Sequence, residues 1–309
     1  GKLSKRNRDE QIAGSRVEVA PFKKDPADFV LWKPSNNEQP GWNSPWGYGR
    51  PGWHTECSAM SEKTLGLPFD IHGGGRDLTF PHHENEIAQS CCSSAGTSDP
   101  KSYVNYWMHN GFVTVNGEKM SKSLGNISLV KDLTENNHGE VIRLSLLSSH
   151  YRQALDWNDK IIHQAKKLLD KIYKVLSDLK DIKPSEINES SMGFISPLLD
   201  DLNTPGLLAN LNKMIKDFKN ISDKDLPEFK SKLLLANELM GICQEDYSDW
   251  FNHDKEDLDT NMIDALILQR LDAKKDKDFD KADSIRQQLL DMNIEIKDTE
   301  SGTDWTLKV

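Results

Sequence analysis

The sequence predicts an α/β domain over its first half, then an almost wholly helical region and a small mixed α/β end. Three observations carry this. Phe69-Asp-Ile-His-Gly-Gly-Gly75 is a short apolar run ending in three glycines, and Pro81 follows closely, which reads as strand, turn and helix start. Strand-like runs at Asp28-Phe-Val-Leu-Trp32 and Tyr106–Val115 lie on either side of it. From about residue 128 onward apolar residues recur at helical spacing, and only Ile294-Glu-Ile and Trp305–Val309 read as strand again.

Composition narrows the class. Of 309 residues 36% are hydrophobic and 28% charged, as in a soluble globular protein of two or three domains. No apolar run approaches the ~20 residues of a membrane helix. Cys57, Cys91, Cys92 and Cys243 are too few and too unevenly spaced for a disulfide scaffold, which points to a reducing compartment. The net charge of −10 lies wholly after residue 155, because residues 1–155 hold 17 basic and 17 acidic residues. Global charge therefore does not choose a partner, while a local patch can still bind RNA.

In chain order, residues 1–27 are charged and weakly patterned, with Val17 and Val19 alternating like a short strand. The strand at Asp28–Trp32 is expected to stop at Pro34. Residues 34–52, rich in Pro, Gly, Asn and Trp, read as a long, packed functional loop. Trp53–Leu65 reads as a helix stopped by Gly66, with Cys57 near the N-terminus where a thiolate is favoured. The glycine strand follows, then a helix from His82 to about Ala95, and a strand from Tyr106 to Val115 closed by the tight turn Asn116-Gly117. Helices are expected at 128–136, 139–149, 157–180, 195–220, 227–243, 260–275 and 280–292, with links at 184–193 and 253–259. A Ser301-Gly302 turn would join the last two strands.

Two constellations carry chemistry. His82 and Glu86 fall at i and i+4 on one helical face, and alone they would read as a solvated pair. With Cys57 and the glycine crevice they make a soft-to-borderline metal site, zinc first, with His83 and Glu84 pointing elsewhere. Three protein ligands leave a coordination position open, unless a fourth comes from a more N-terminal segment. Lys119-Met-Ser-Lys-Ser123 places two ammonium groups in a loop bounded by Gly117 and Gly125. Such a loop can close on a triphosphate and neutralise a departing pyrophosphate, where a generic Lys-x-x-Lys would be a solvated surface.

Lys119-Met-Ser-Lys-Ser123 resembles the second signature of class I aminoacyl-tRNA synthetases. Gly49-Arg-Pro-Gly-Trp-His-Thr-Glu-Cys57, His72-Gly-Gly-Gly-Arg-Asp-Leu78 and Phe80-Pro-His-His-Glu-Asn-Glu86 resemble the cysteinyl-tRNA synthetase family in particular. The likeness extends to Gly302-Thr-Asp-Trp305. It implies a Rossmann-like catalytic domain (residues 1–155), a helical bundle contacting tRNA (156–252) and an anticodon-binding helical and mixed α/β end (253–309). It also implies one zinc ion on Cys57, His82 and Glu86. The family's fourth ligand, an N-terminal cysteine, and its His-Ile-Gly-His signature match nothing here. The catalytic domain is therefore expected to be incomplete at its N-terminal side, the opening Gly1 being an internal or trimmed start.

The resemblance further implies that Trp53, His72 and Asp77 line the cysteine pocket, Asp77 holding the ammonium group. Lys119 and Lys122 would act on ATP, which would carry Mg2+ as its counter-ion. Lys274, Phe279 and Asp283 would read the anticodon, where the residue pattern by itself gives an amphipathic hairpin with Phe279 in its core. The implied reaction forms cysteinyl-adenylate from cysteine and ATP and transfers cysteine to tRNA-Cys. Selecting thiolate over hydroxyl by metal softness suits a pair of substrates that shape distinguishes poorly. The remaining readings are a ligase joining activated cysteine to an amino sugar and a non-catalytic zinc- and RNA-binding fragment. A cytoplasmic protein with no membrane partner, monomeric when complete, is expected.

Overall fold

A computed structural model of the chain describes residues 1–7, 9–10, 23–97, 99–121, 124–256, 260–292, 294–299 and 302–307. It divides into two compact units, residues 1–114 with 151–155, and residues 115–150 with 156–309. The alternation at Val17 and Val19 lies outside the described residues, and so does Lys122.

The first unit opens with two short antiparallel strands, β1 (Trp32–Pro34) and β2 (Gly49–Pro51). Strand β1 begins where the sequence predicts the strand to end. Pro34 is tolerated because a two-stranded ribbon leaves each strand an outer edge, where no N–H is needed. Residues before Trp32 serve the next element instead, since Gly52 N donates to Leu31 O at 2.8 Å. A Cβ on Gly52 would meet Val30 O at 2.1 Å, so only glycine fits this approach.

Helix α1 (Trp53–Leu65) follows and stops at Gly66, whose φ of +77° an L side chain resists. Strand β3 (Phe69–Gly75), a 3-10 turn (Arg76–Thr79), helix α2 (His82–Ser90) and strand β4 (Val104–Asn110) come next. The helix continues through Cys91–Ala95 with π-type winding. Strands β3 and β4 are parallel, with His72 opposite Trp107 and Gly74 opposite His109. This βαβ crossover is the unit from which Rossmann-like sheets are built. Its core is Phe69, Ile87, Cys91, Tyr103 and Val104. Helix α1 is pinned to α2 by Gln89, which accepts from Ser58 Oγ at 2.7 Å and donates to Thr55 Oγ1 at 3.0 Å.

The single strand expected over Tyr106–Val115 is two. Gly111 interrupts it, because the backbone of Gln153 approaches so closely that a Cβ there would lie 2.0 Å from its carbonyl oxygen. Strand β5 (Val113–Val115) resumes beyond it and turns through Asn116 and Gly117, both at positive φ, into β6 (Glu118–Lys119). That is the primed turn that Asn-Gly favours. Strand β7 (Leu155–Trp157) completes this small sheet, and the division between the units passes through β5 and β7.

The second unit is mainly helical: α3 (Val130–Asn136), α4 (Gly139–Leu147), α5 (Asp159–Asp178), α6 (Glu189–Ile195), α7 (Thr204–Asp217), α8 (Leu226–Met240) and α9 (Tyr247–Glu256). Leu144, Leu169, Ile172, Leu207, Leu211, Leu233 and Trp250 meet in one core. Buried Glu140 accepts from the backbone of Cys243 (2.8 Å) and Gln244 (2.7 Å) and from Tyr173 Oη (3.1 Å), which ties α4 and α5 to the segment before α9.

The helix expected over 195–220 is broken. Asp201 and Leu202 take positive φ, and Asn203 then caps α7 by accepting from Gly206 N at 2.9 Å. Helix α6 occupies part of the link expected at 184–193, and α9 runs into the one expected at 253–259. Helices α10 (Thr260–Lys275) and α11 (Phe279–Asp291) and the antiparallel strands β8 (Ile294–Thr299) and β9 (Gly302–Leu307) enclose a separate core of Ile263, Ile267, Ile285, Leu289 and Ile294.

Candidate metal centre

Helices α1 and α2 bring the three predicted ligands together. Trp53 and Cys57 share a face of α1 at i and i+4, and His82 and Glu86 do the same on α2. Donor atoms of Cys57, His82 and Glu86 all lie within 4.8 Å of one another. Glu86 is 0% exposed. Its Oε2 accepts from Tyr103 Oη at 3.1 Å and lies 3.2 Å from His72 Nε2. Its Oε1 lies 2.6 Å from His82 Nε2 but has no hydrogen-bond partner of acceptable geometry. An orphaned buried carboxylate oxygen beside an imidazole nitrogen and a thiol is a donor set that fits zinc.

The electrostatics differ from one expectation. Burial pushes the Cys57 thiol up, and the Glu86 carboxylate beside it adds to the effect, so the helix N-terminus does not prevail. Metal binding there must displace a proton. Burial would also raise the Glu86 carboxyl, but contact with His82, then His72 and His83, more than offsets this and holds it below its ordinary value.

His83 does not point elsewhere. It is 1% exposed, its Nδ1 lies 2.8 Å from His109 Nε2, and with His72 and Glu86 it forms a second group of donor atoms within 4.8 Å. Burial, then the neighbouring His72, pushes its pKa down to about 3. His54, His72 and His109 are likewise lowered, chiefly by burial. Glu84 does turn away and accepts from Leu3 N, Ser4 N and Ser4 Oγ.

Gly74 and Gly75 give their clearance to the protein's own side chains. A Cβ on Gly74 would lie 2.8 Å from His83 Cε1, and one on Gly75 would lie 2.6 Å from Asp77 Oδ1. Trp53 stacks on His82 at 4.1 Å between ring centres and is 59% exposed. His72 packs on Trp107, its partner across the ladder. Beside Trp53 opens a cavity of about 580 Å³, lined by Phe29, Arg50, His54, Phe80 and neighbours.

Lys119 lies exposed in β6, in the second unit, and its carbonyl accepts from Asn126 Nδ2 at 3.3 Å. Lys274 Nζ donates to Asp298 Oδ2 at 2.6 Å, beside Arg270. Phe279 opens α11 with 62% exposure and so does not belong to the hairpin core; Asp283, exposed, follows one turn later on the same face.

Sequence reasoning missed His54, His83, His109 and Tyr103. His54 lies three residues before Cys57 on the same helix, with its Nδ1 2.6 Å from His82 Nδ1. His109 follows Trp107 by two on a strand, so both face one side. Those spacings were the available signals.

The family model for the catalytic domain of class I (C) tRNA synthetases matches residues 1–167. The chain belongs to this class of tRNA synthetases. Within it, the chain is 50% identical over 313 residues to the cysteine–tRNA ligase of Parvibaculum lavamentivorans, covering 99% of this chain and 65% of that protein. It is 49% identical to the cysteine–tRNA ligase of Xanthomonas campestris, again over 99% of this chain and 66% of the relative. That of Xanthomonas oryzae is 46% identical over 99% of this chain and 67% of its own length. The chain thus spans about two thirds of the relatives it matches.

Proposed function

We propose that this protein activates cysteine with ATP and transfers it to tRNA-Cys. The observation that carries the reading is the convergence of Cys57, His82 and Glu86 beside Trp53 and His72, in a chain whose relatives are named cysteine–tRNA ligases. These three side chains would hold a zinc ion, and bound zinc takes a thiolate in preference to a hydroxyl, which separates cysteine from serine.

Tyr103 fixes one oxygen of Glu86, and Trp53 holds the His82 ring by stacking, so the donors are positioned before substrate arrives. Trp53 and His72 wall the amino-acid pocket, and Asp77 takes the ammonium group. A carboxylate oxygen of cysteine then attacks the α-phosphorus of ATP, and the bond to pyrophosphate breaks. Lys119 and Lys122 offset the charge on the leaving group, with Mg2+ accompanying ATP. In the second step the terminal ribose hydroxyl of tRNA attacks the acyl carbon and AMP departs. Neither step passes through a covalent enzyme intermediate, so positioning and electrostatics supply the rate.

The helices over 156–252 would grip tRNA. The end at 253–309 would read the anticodon, Phe279 stacking an unpaired base while Asp283 accepts from its edge and Lys274 contacts it. We read the complete protein as a cytoplasmic monomer, in keeping with cysteines too few and too unevenly spaced for a disulfide scaffold. No helix among the described residues is long and apolar enough to cross a membrane.

The test is cysteine-dependent exchange of pyrophosphate into ATP by the full-length protein. Exchange driven by cysteine far better than by serine, and slowed by Lys122→Ala with zinc content unchanged, is expected. Exchange driven equally by serine, or unaffected in Lys122→Ala, would contradict the assignment.

A further inference from the structure

The donor atoms around Glu86 form two sets, of which the proposed zinc site uses only one. We propose that the Glu86 carboxylate bridges two metal positions, and that a second zinc-type ion binds His72, His83 and Glu86 Oε2. The two oxygens of Glu86 face opposite partners: Oε1 is 2.6 Å from His82 Nε2, and Oε2 is 3.2 Å from His72 Nε2. Zinc bonds of ~2.0–2.1 Å in tetrahedral geometry place neighbouring donor atoms roughly 3.3 Å apart. The His72–Glu86 separation of 3.2 Å is close to that value.

The second set is also supported from behind. Zinc-bound imidazoles generally hold their other nitrogen in a hydrogen bond. His83 Nδ1 is paired with His109 Nε2 at 2.8 Å, which leaves Nε2 of His83 as the free donor when Nδ1 carries the hydrogen. Tyr103 Oη also donates to Glu86 Oε2 at 3.1 Å and helps fix the carboxylate. His83 and Glu86 lie one turn apart on α2, and His72 stands on the paired strand β3, so all three are carried by regular structure. A bland reading makes these imidazoles a hydrogen-bonded packing layer. That reading explains the His83–His109 pair, but not two imidazoles converging with a buried carboxylate.

Charge orders the two positions. A first ion beside the Cys57 thiolate and Glu86 is neutralised, while a second adds two positive charges with only a shared carboxylate and neutral imidazoles to offset them. The Cys57 set therefore fills first. The second, lacking a thiolate, binds more weakly. Resting on the function proposed above, an ion on His72 would occupy the cysteine pocket, and excess zinc would compete with substrate.

The binding claim itself is tested without activity, by titrating the purified, metal-stripped chain with cobalt(II). Only the first set contains a thiolate, so the thiolate charge-transfer band should saturate at one equivalent while the ligand-field bands grow to a second. Cys57→Ser should remove the charge-transfer band. His83→Gln should remove the second equivalent alone. Should buried His83→Gln fail to fold, His72→Gln, on a more accessible side chain, must give the same loss. Saturation of every band at one equivalent overturns the proposal. So does loss of the charge-transfer band in His72→Gln, or a second equivalent that survives in His72→Gln.

Discussion

Gly74→Ala should destabilise the first unit, and the structure sets the size of the effect. The added methyl would lie 2.8 Å from His83 Cε1, 3.1 Å from His83 Nε2 and 3.3 Å from Leu78 Cδ1. Carbon contacts settle near ~3.5–4.0 Å, so the imidazole would have to move by roughly 0.7 Å. It has no room to do so. His83 is held to His109, lies edge-on to His72 at 4.6 Å between ring centres, and packs against Trp107 at 5.1 Å.

Overpacking a filled interior costs ~1–3 kcal/mol. The loss of backbone freedom in the unfolded chain returns about 0.4–1 kcal/mol, because Gly74 lies outside the left-handed region. A net loss of about 1–2 kcal/mol lowers the melting temperature by roughly 4–8 °C for a unit of this size. Gly73→Ala is the control, since a methyl there meets only Met108 O at an ordinary 3.7 Å. Thermal unfolding of the two variants decides the matter, and equal melting temperatures would refute the packing argument.

The other expectations concern the C-terminal end. Asp298 accepts from Arg270 (2.8 Å), Lys274 (2.6 Å) and Thr303 (2.8 Å), and these bonds hold its carboxyl well below the usual range. A carboxyl depressed in the folded state stabilises above its unfolded value of ~3.9 and loses that contribution as pH falls towards the folded value. Asp298→Asn should cost about 1–2 kcal/mol near neutrality, less than a fully buried pair because Asp298 is half exposed. It should also flatten the acid limb of stability between about pH 4 and 2, measured by denaturant melts; an unchanged acid limb would exclude the pairing. Phe279→Ala, on an exposed ring, should change stability by no more than ~0.5 kcal/mol. If Phe279 stacks a base, the same substitution should weaken tRNA-Cys binding by ~1–3 kcal/mol, read by filter binding, with cysteine activation unchanged.

Much of this was legible in the sequence because local chemistry and tertiary need agree. Trp53–Leu65 and Thr260–Lys275 have the bounds that periodicity predicts, and Gly66 ends the first where a positive φ is needed. The face carrying His82 and Glu86 follows from helical spacing alone. Failures fall where another segment decides. Gly111 breaks a strand because Gln153 crosses behind it, a contact 42 residues away in sequence. Asp201 and Leu202 break the expected helix by local chemistry instead, since the Asn203 cap and Pro205 mark a fresh helix start inside an apolar pattern that runs on. His83 is expected to point away from the metal site because helical spacing puts it off the face shared by His82 and Glu86. The paired strands behind it supply His109 on β4 and a glycine gap on β3, neither of which a helical wheel contains. The Cys57 thiol shows the same limit: its helix N-terminus is local, while the burial that raises it, and then the carboxylate from α2, come from tertiary packing.

The most direct measurement is the zinc retained per chain after exhaustive dialysis, compared between this protein and Cys57→Ser. Near one equivalent in the parent and a small fraction of that in the variant, with both chains folded by circular dichroism, is the expected result. Zinc content that Cys57→Ser leaves unchanged, or a parent chain that retains none, would contradict a metal centre built from Cys57, His82 and Glu86.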